Sequence, residues 1–165
     1  MRNSEHGFTL VELLIVVAII GILAGITAHH VLAAKVAANE ASAVGTMRAV
    51  HSGEIAYSSS CASGSYTTSL AQLVTGRFVS PDLGMPSKSG YVFEITNTLG
   101  SPGPTDCNGQ ASSSAYYMSG IPVSNMTGVR AFAVNQFGGI WQDITGTAPA
   151  EPFTPSATVM PLQGK

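Results

Sequence analysis

From Phe8 to Ala28 the chain reads FTLVELLIVVAIIGILAGITA, a predominantly apolar run with Glu12 as its only ionisable side chain. As a helix rising about 1.5 Å per residue, this run spans roughly 30 Å, the thickness of a bilayer's hydrocarbon core. Polar positions then return. Lys35, Glu40, Arg48 and Glu54 interrupt an Ala-rich stretch in which Val36, Val44, Met47 and Ile55 recur near helical spacing. The helix is therefore predicted to continue from Val31 to about Tyr57.

After Ser58–Cys61 the pattern shortens. Ala62–Tyr66 reads as a loop, Thr68 or Ser69 as the cap of a short helix through Val74, and Gly76 as its stop. Pro81, Gly84 and Pro86 mark another loop. Gly90–Thr96 alternates, which places Tyr91, Phe93 and Ile95 on one face of a strand. Residues 97–113 form a long Gly/Pro/Ser loop, and Ser114–Val123 a second strand weakened at its end by Gly120 and Pro122. Val129–Ile144 predicts a hairpin, and the Pro-rich Thr147–Lys165 an extended or disordered tail. A long helix followed by a small antiparallel meander is an α+β layer, with the sheet packed on the helix.

Glu12 alters the meaning of the apolar run. A carboxylate at mid-bilayer costs roughly 2.5–3.5 kcal/mol, less near the end where this one lies, and an intramembrane acid is a functional-site candidate by default. Its most economical partner is a cation supplied from outside the segment, such as an α-amino group made on Phe8 by cutting after Gly7. The order Gly7-Phe8-Thr9-Leu10-Val11-Glu12 closely resembles the type IV prepilin signature, shared by type IV pilins and the pseudopilins of type II secretion. The resemblance covers Met1 to about residue 30 and rests on a specific motif.

That resemblance carries expectations. Residues 1–7 would be a leader removed by a prepilin peptidase between Gly7 and Phe8. Phe8 would be N-methylated, and Glu12 would pair with the Phe8 amine of an adjacent subunit. Residues 8–28 would form the membrane-spanning and filament-core half of one continuous helix of about 50 residues, and residues 29–57 its outer half. Residues 58–146 would form the pilin-like α+β head, with a small antiparallel sheet of about four strands, and 147–165 the tail. Many pilins carry a proline where this chain has His29, so the family's kink is not expected. Either the helix is straighter or it loosens near Gly21–Gly25.

The function implied is that of a structural subunit of a type IV pilus-like filament. A major-type pseudopilin of a type II secretion system is the alternative within the class, and a membrane-tethered extracytoplasmic binding module the alternative outside it. Implied partners are copies of the chain, other pilins or pseudopilins, the prepilin peptidase and methylase, and an inner-membrane platform driven by a separate ATPase. The chain itself contains no GxxxxGK[ST] loop. The precursor is expected in the inner membrane, and the assembled filament in the periplasm or on the cell surface. The alternatives at the N-terminus agree less well with the residues. A secretory signal has a shorter apolar core followed by a cleavage site, and a plain anchor explains neither Gly7-Phe8 nor Glu12. The free amine and Arg2 favour an N-terminus on the inside.

Composition narrows the chemistry. The net charge is −2, and loss of Arg2 and Glu5 with the leader leaves it at −2. No basic run interleaved with aromatics supports strong nucleic-acid binding. Cys61 and Cys107, both on the outer side, predict one disulfide worth about 4 kcal/mol in the chain-entropy model. No enzyme is predicted, because no acid, base and nucleophile set converges and no GxSxG is present. His51 and Glu54, at i,i+3, read as a solvated helix face rather than a metal pair. His29 and His30 lie just past the apolar run, at an interfacial position. No cofactor is expected. Calcium, bound through a loop in some pseudopilin heads, is the one left open, although Asp82, Asp106 and Asp143 are scattered. Asn125-Met126-Thr127 matches a glycosylation sequon, a triplet frequent by chance.

Overall fold

The structure, a computed structural model, describes residues 7–85, 87–97 and 99–162, and no side chain from 26 to 29. The leader residues 1–6, the loop marker Pro86, the His29 side chain and the last three tail residues lie outside that description. The chain divides into two compact units at Lys35 and Val36. Helix α1, Leu10–Ser60, supplies helical backbone to both. It ends three residues beyond the expected Tyr57 and stays helical through Gly21 and Gly25.

In the first unit, the large apolar residues from Phe8 to Leu23 are exposed. Helix α1 is long and apolar enough to cross a membrane, with a mean hydropathy of 2.7 over its most apolar window.

In the second unit α1 turns one stripe inward. Glu40, Ala43, Met47, Val50, Glu54 and Tyr57, and Cys61 just past the helix end, are all buried, at alternating spacings of three and four that keep one face of a helix on one surface. The stripe expected from Val36, Val44, Met47 and Ile55 is only partly the buried one. Met47 is fully buried, Val36 and Val44 are half-buried, and Ile55 is 45% exposed.

The sheet is a six-stranded antiparallel meander in the order β1 to β6: Ser87–Lys88, Tyr91–Thr96, Tyr117–Pro122, Ala131–Asn135, Trp141–Asp143 and Val159–Pro161. The expected four strands thus gain one at each edge. Tyr91, Phe93 and Ile95 share the buried face of β2, as their alternation predicts, with Met118 of β3 and Phe132 and Val134 of β4 in register beside them. Fully burying an apolar side chain of this size is worth about 1.5–3 kcal/mol. Gly120 lets helix and sheet close, since a Cβ there would lie 2.9 Å from both Met47 Cε and Phe93 Cε1.

Helix α2, Leu70–Thr75, starts after Ser69, whose side chain makes no cap bond. The neighbouring Thr68 donates its N–H (2.6 Å) and its hydroxyl (2.9 Å) to Gln72 Oε1. At the other end Gly76 is not the left-handed residue. Its φ is −74°, and Arg77 takes φ +60°. The bonds Phe78 N–H to Leu73 O and Arg77 N–H to Val74 O complete a Schellman turn around Arg77.

Residues 147–162, expected as an extended or disordered tail, fold onto the head. The tail crosses the outer face of the sheet as a strap. Pro149 is buried and accepts the Tyr117 hydroxyl at 2.7 Å, and the Phe153 ring lies on Tyr117 and Trp141. The chain then enters β6, and the Leu162 N–H donates to Ile140 O.

Candidate functional site

Gly7, Phe8 and Thr9 precede α1 in non-helical backbone. Thr9 stands at the cap and Glu12 three residues later, and together they close a reciprocal capping box. The Thr9 N–H and hydroxyl donate to Glu12 Oε2 at 2.9 and 2.6 Å, while the Glu12 N–H donates to Thr9 Oγ1 at 3.2 Å. The box satisfies N–H groups that a helix start leaves open and sets an anion at the positive end of the helix dipole. Glu12 therefore has a partner within its own chain, which spacing alone had not brought out, although Thr-x-x-Glu is legible as a motif. All three bonds avoid Glu12 Oε1, which has no partner among the described residues. Phe8 is 80% exposed, and a Cβ on Gly7 would meet nothing within 4 Å. The chain's own packing thus makes no demand for glycine at 7.

In the head, Cys61 and Cys107 are joined by a disulfide, with a Cα–Cα distance of 4.9 Å. The Cys107 N–H also donates to Cys61 O, so the bond fastens the long loop to the end of α1.

The two buried acids of α1 are held differently. Glu40 clasps Arg130 of the segment entering β4. Oε2 accepts Nε at 2.8 Å and Nη2 at 2.6 Å, and Oε1 accepts the N–H groups of Val129 and Arg130 at 3.1 Å each. Desolvation pushes its pKa up, but the Arg130 side-chain bonds, the two N–H groups and the guanidinium charge outweigh it and hold the carboxyl below the usual range. Glu54 has no cationic partner among the described residues. Its carboxylate accepts the Thr67 N–H at 3.0 Å and the Thr67 hydroxyl, and desolvation raises it to about 7 against the pull of those two bonds. The expectation of a solvated His51/Glu54 face fails here, because Glu54 lies on the buried stripe. His51 is half-buried, shares 2.6 Å with the Tyr116 hydroxyl, and is shifted down by desolvation.

Each remaining candidate acid is engaged separately. Asp82 pairs with Lys88 and Ser80, Asp106 takes the N–H groups of Asn108 and Gln110 and the Tyr57 hydroxyl, and Asp143 takes Thr145. Among the described residues no group of three His, Cys, Asp or Glu is placed to hold a metal. Asn125 is exposed, and the hydroxyl of Thr127, two residues on, is turned onto Ser124.

Sequence reasoning missed the Glu40–Arg130 clasp, whose ends lie 90 residues apart. One signal was available, since Glu40 and Glu54 continue the spacing of Ala43, Met47, Val50 and Tyr57. An acid in register with an apolar stripe is an acid that will be buried with it.

The N-terminal segment matches the prokaryotic N-terminal methylation motif over residues 2–28, the type IV pilin and pseudopilin signature. No curated protein and no solved structure matches the chain. The motif ends within the first unit, and the head stands on its own geometry.

Proposed function

We propose that this chain is a structural subunit of a type IV pilus-like filament, drawn from the inner membrane after cleavage between Gly7 and Phe8 and N-methylation of Phe8. The methylation motif over residues 2–28 carries this reading. The precursor spans the membrane through Phe8–Ala28. Cleavage turns the Phe8 nitrogen from an amide into an amine, and methylation leaves that amine basic, so a cation appears four residues from Glu12. In one subunit the Thr9–Glu12 box fixes the carboxylate, and Oε1 remains to receive the Phe8 ammonium of a neighbour. Both charges then lie in a low-dielectric setting, where their attraction is strong.

Lipid chains are as apolar as the stem, so hydrophobic burial does not drive stems together within the bilayer. Outside it, the exposed side chains from Phe8 to Leu23 require cover, and other stems supply it. Gly21 and Gly25 have open space where a side chain would stand, which suits close helix approach. The energy for extraction comes from a separate ATPase.

Glu12→Val tests the pairing. We expect normal membrane insertion and loss of filament incorporation, scored by the mutant's share of sheared filaments beside the wild-type chain. Unchanged incorporation would sink the mechanism and leave the membrane-tethered binding module as the better reading. The short head favours a second reading within the class, a major-type pseudopilin of type II secretion. Mass spectrometry decides between the two. A peptide beginning at N-methyl-Phe8 in sheared surface filaments supports the pilus, and its confinement to the cell envelope supports the secretion role.

A further inference from the structure

The strap and the β4–β5 turn enclose a groove of about 410 Å³ on the outer face of the sheet. Trp141 and Phe153 lie in its lining, their rings 5.5 Å apart and 25° from parallel, with Leu99 and the 84% exposed Phe137 also on its walls. Asn135, only 6% exposed, organises the polar side. Its Oδ1 accepts the Phe137 N–H at 3.1 Å, and its Nδ2 donates to Glu151 Oε1 at 2.6 Å. One carboxylate oxygen of Glu151 is thereby anchored, while the other has no partner among the described residues. The Gln136 Oε1 in the wall is buried without a donor. The Trp141 Nε1–H lies beside Gly139, 3.7 Å from where a Cβ there would stand, and has no acceptor among the described residues.

We propose that this groove binds a neutral saccharide ring. The choice follows from which occupant satisfies every group. An anion meets the Glu151 carboxylate and finds no cation in the lining. A cation suits Glu151 and the ring faces but gives the Trp141 N–H no acceptor. An apolar side chain covers the rings yet strands a carboxylate oxygen and an indole N–H, each costly to desolvate without a partner. A pyranose lays its C–H face on an aromatic ring, donates a hydroxyl to Glu151 and accepts from the indole, because a hydroxyl is both donor and acceptor. An apolar lining with a few convergent polar groups is the usual make-up of a small-molecule site.

Trp141 is the chain's only tryptophan, so its fluorescence reports directly on the groove. The full chain, held in a detergent with no sugar headgroup, is titrated with methyl β-galactoside, methyl α-mannoside and N,N′-diacetylchitobiose. At least one is expected to give a saturable change with Kd of about 0.1–10 mM, the range of a few hydrogen bonds and one stacked ring. Phe137→Ser, which alters an exposed side chain, and Glu151→Gln should each weaken it about tenfold with an unchanged circular dichroism spectrum. The proposal is overturned if none of the three saturates, if both variants bind as the wild type does, or if tetramethylammonium or N-acetylneuraminate binds more tightly than the neutral sugars.

Discussion

In the unit ending at Lys35, the large apolar side chains from Phe8 to Leu23 are exposed, and among the described residues the one acid between them is held by its own helix cap alone. In the unit from Val36 onward, the same helix buries Met47, Val50, Tyr57 and two acids, each acid on a partner outside the helix. One half of α1 leaves its large apolar side chains uncovered by its own chain, whereas the other half packs within it. A polar group in an apolar stretch therefore means different things in the two halves. At Glu12 one carboxylate oxygen has no partner among the described residues, whereas at Glu40 and Glu54 both oxygens are engaged.

If the head is self-sufficient, damage to its internal ties should lower its stability, and Glu12→Val should leave that stability untouched. The largest loss is expected from Cys61→Ser with Cys107→Ser, about 4 kcal/mol, read as a lower urea midpoint for the head signal of Trp141. Glu40→Ala comes next. It strips Arg130 of its carboxylate and leaves the Val129 and Arg130 N–H groups without their acceptor, for about 2–4 kcal/mol by the same measurement. A midpoint unchanged in Glu40→Ala would show that the clasp is ornamental and weaken the contrast between the halves.

Glu54 sharpens the comparison through pH. The folded head keeps its proton up to about pH 7, whereas the unfolded chain releases it near the ordinary 4.5. Stability from this group is therefore full below about 4.5, falls as pH rises towards 7, and levels off above, a span of up to about 3 kcal/mol. Glu54→Gln should remove that fall and be more stable than the wild type at pH 8. His51 contributes the opposite slope, since its lowered pKa costs stability as pH drops through its range. The difference between wild type and Glu54→Gln isolates the acid, and parallel pH profiles would refute the assignment. The smallest effect is Arg77→Gly, which relieves a left-handed backbone (φ +60°) and should stabilise by about 0.5–1 kcal/mol, read as a small rise in the same midpoint.

What the sequence made legible followed from local periodicity. The apolar run, the alternation of Tyr91, Phe93 and Ile95, and the hairpin around Phe137 all stand in the residues themselves, as does the Cys61–Cys107 pairing by elimination. What it hid depended on partners far along the chain. Pro149 and Phe153 look like solvated tail until Tyr117 and Trp141 lie beneath them, and β6 has no strand signal apart from its pairing with β5. The left-handed residue after α2 was hidden for a local reason. Gly76 is the expected stop, but a Cβ there would strike Phe78 at 2.8 Å, so its glycine serves close packing and Arg77 makes the turn. At the N-terminus, the motif over residues 2–28 stands in the sequence, and the hold of Thr9 on Glu12 is an addition from the structure.

The sheet's borders have a consequence for how copies of the head can associate. Its first strand has two residues, and its last has three and finishes in Pro161, which has no N–H to offer. Neither margin presents a long row of free amide and carbonyl groups on which a foreign strand could grow. Continuous strand-by-strand propagation, the route by which many β-rich proteins polymerise without control, has little template here.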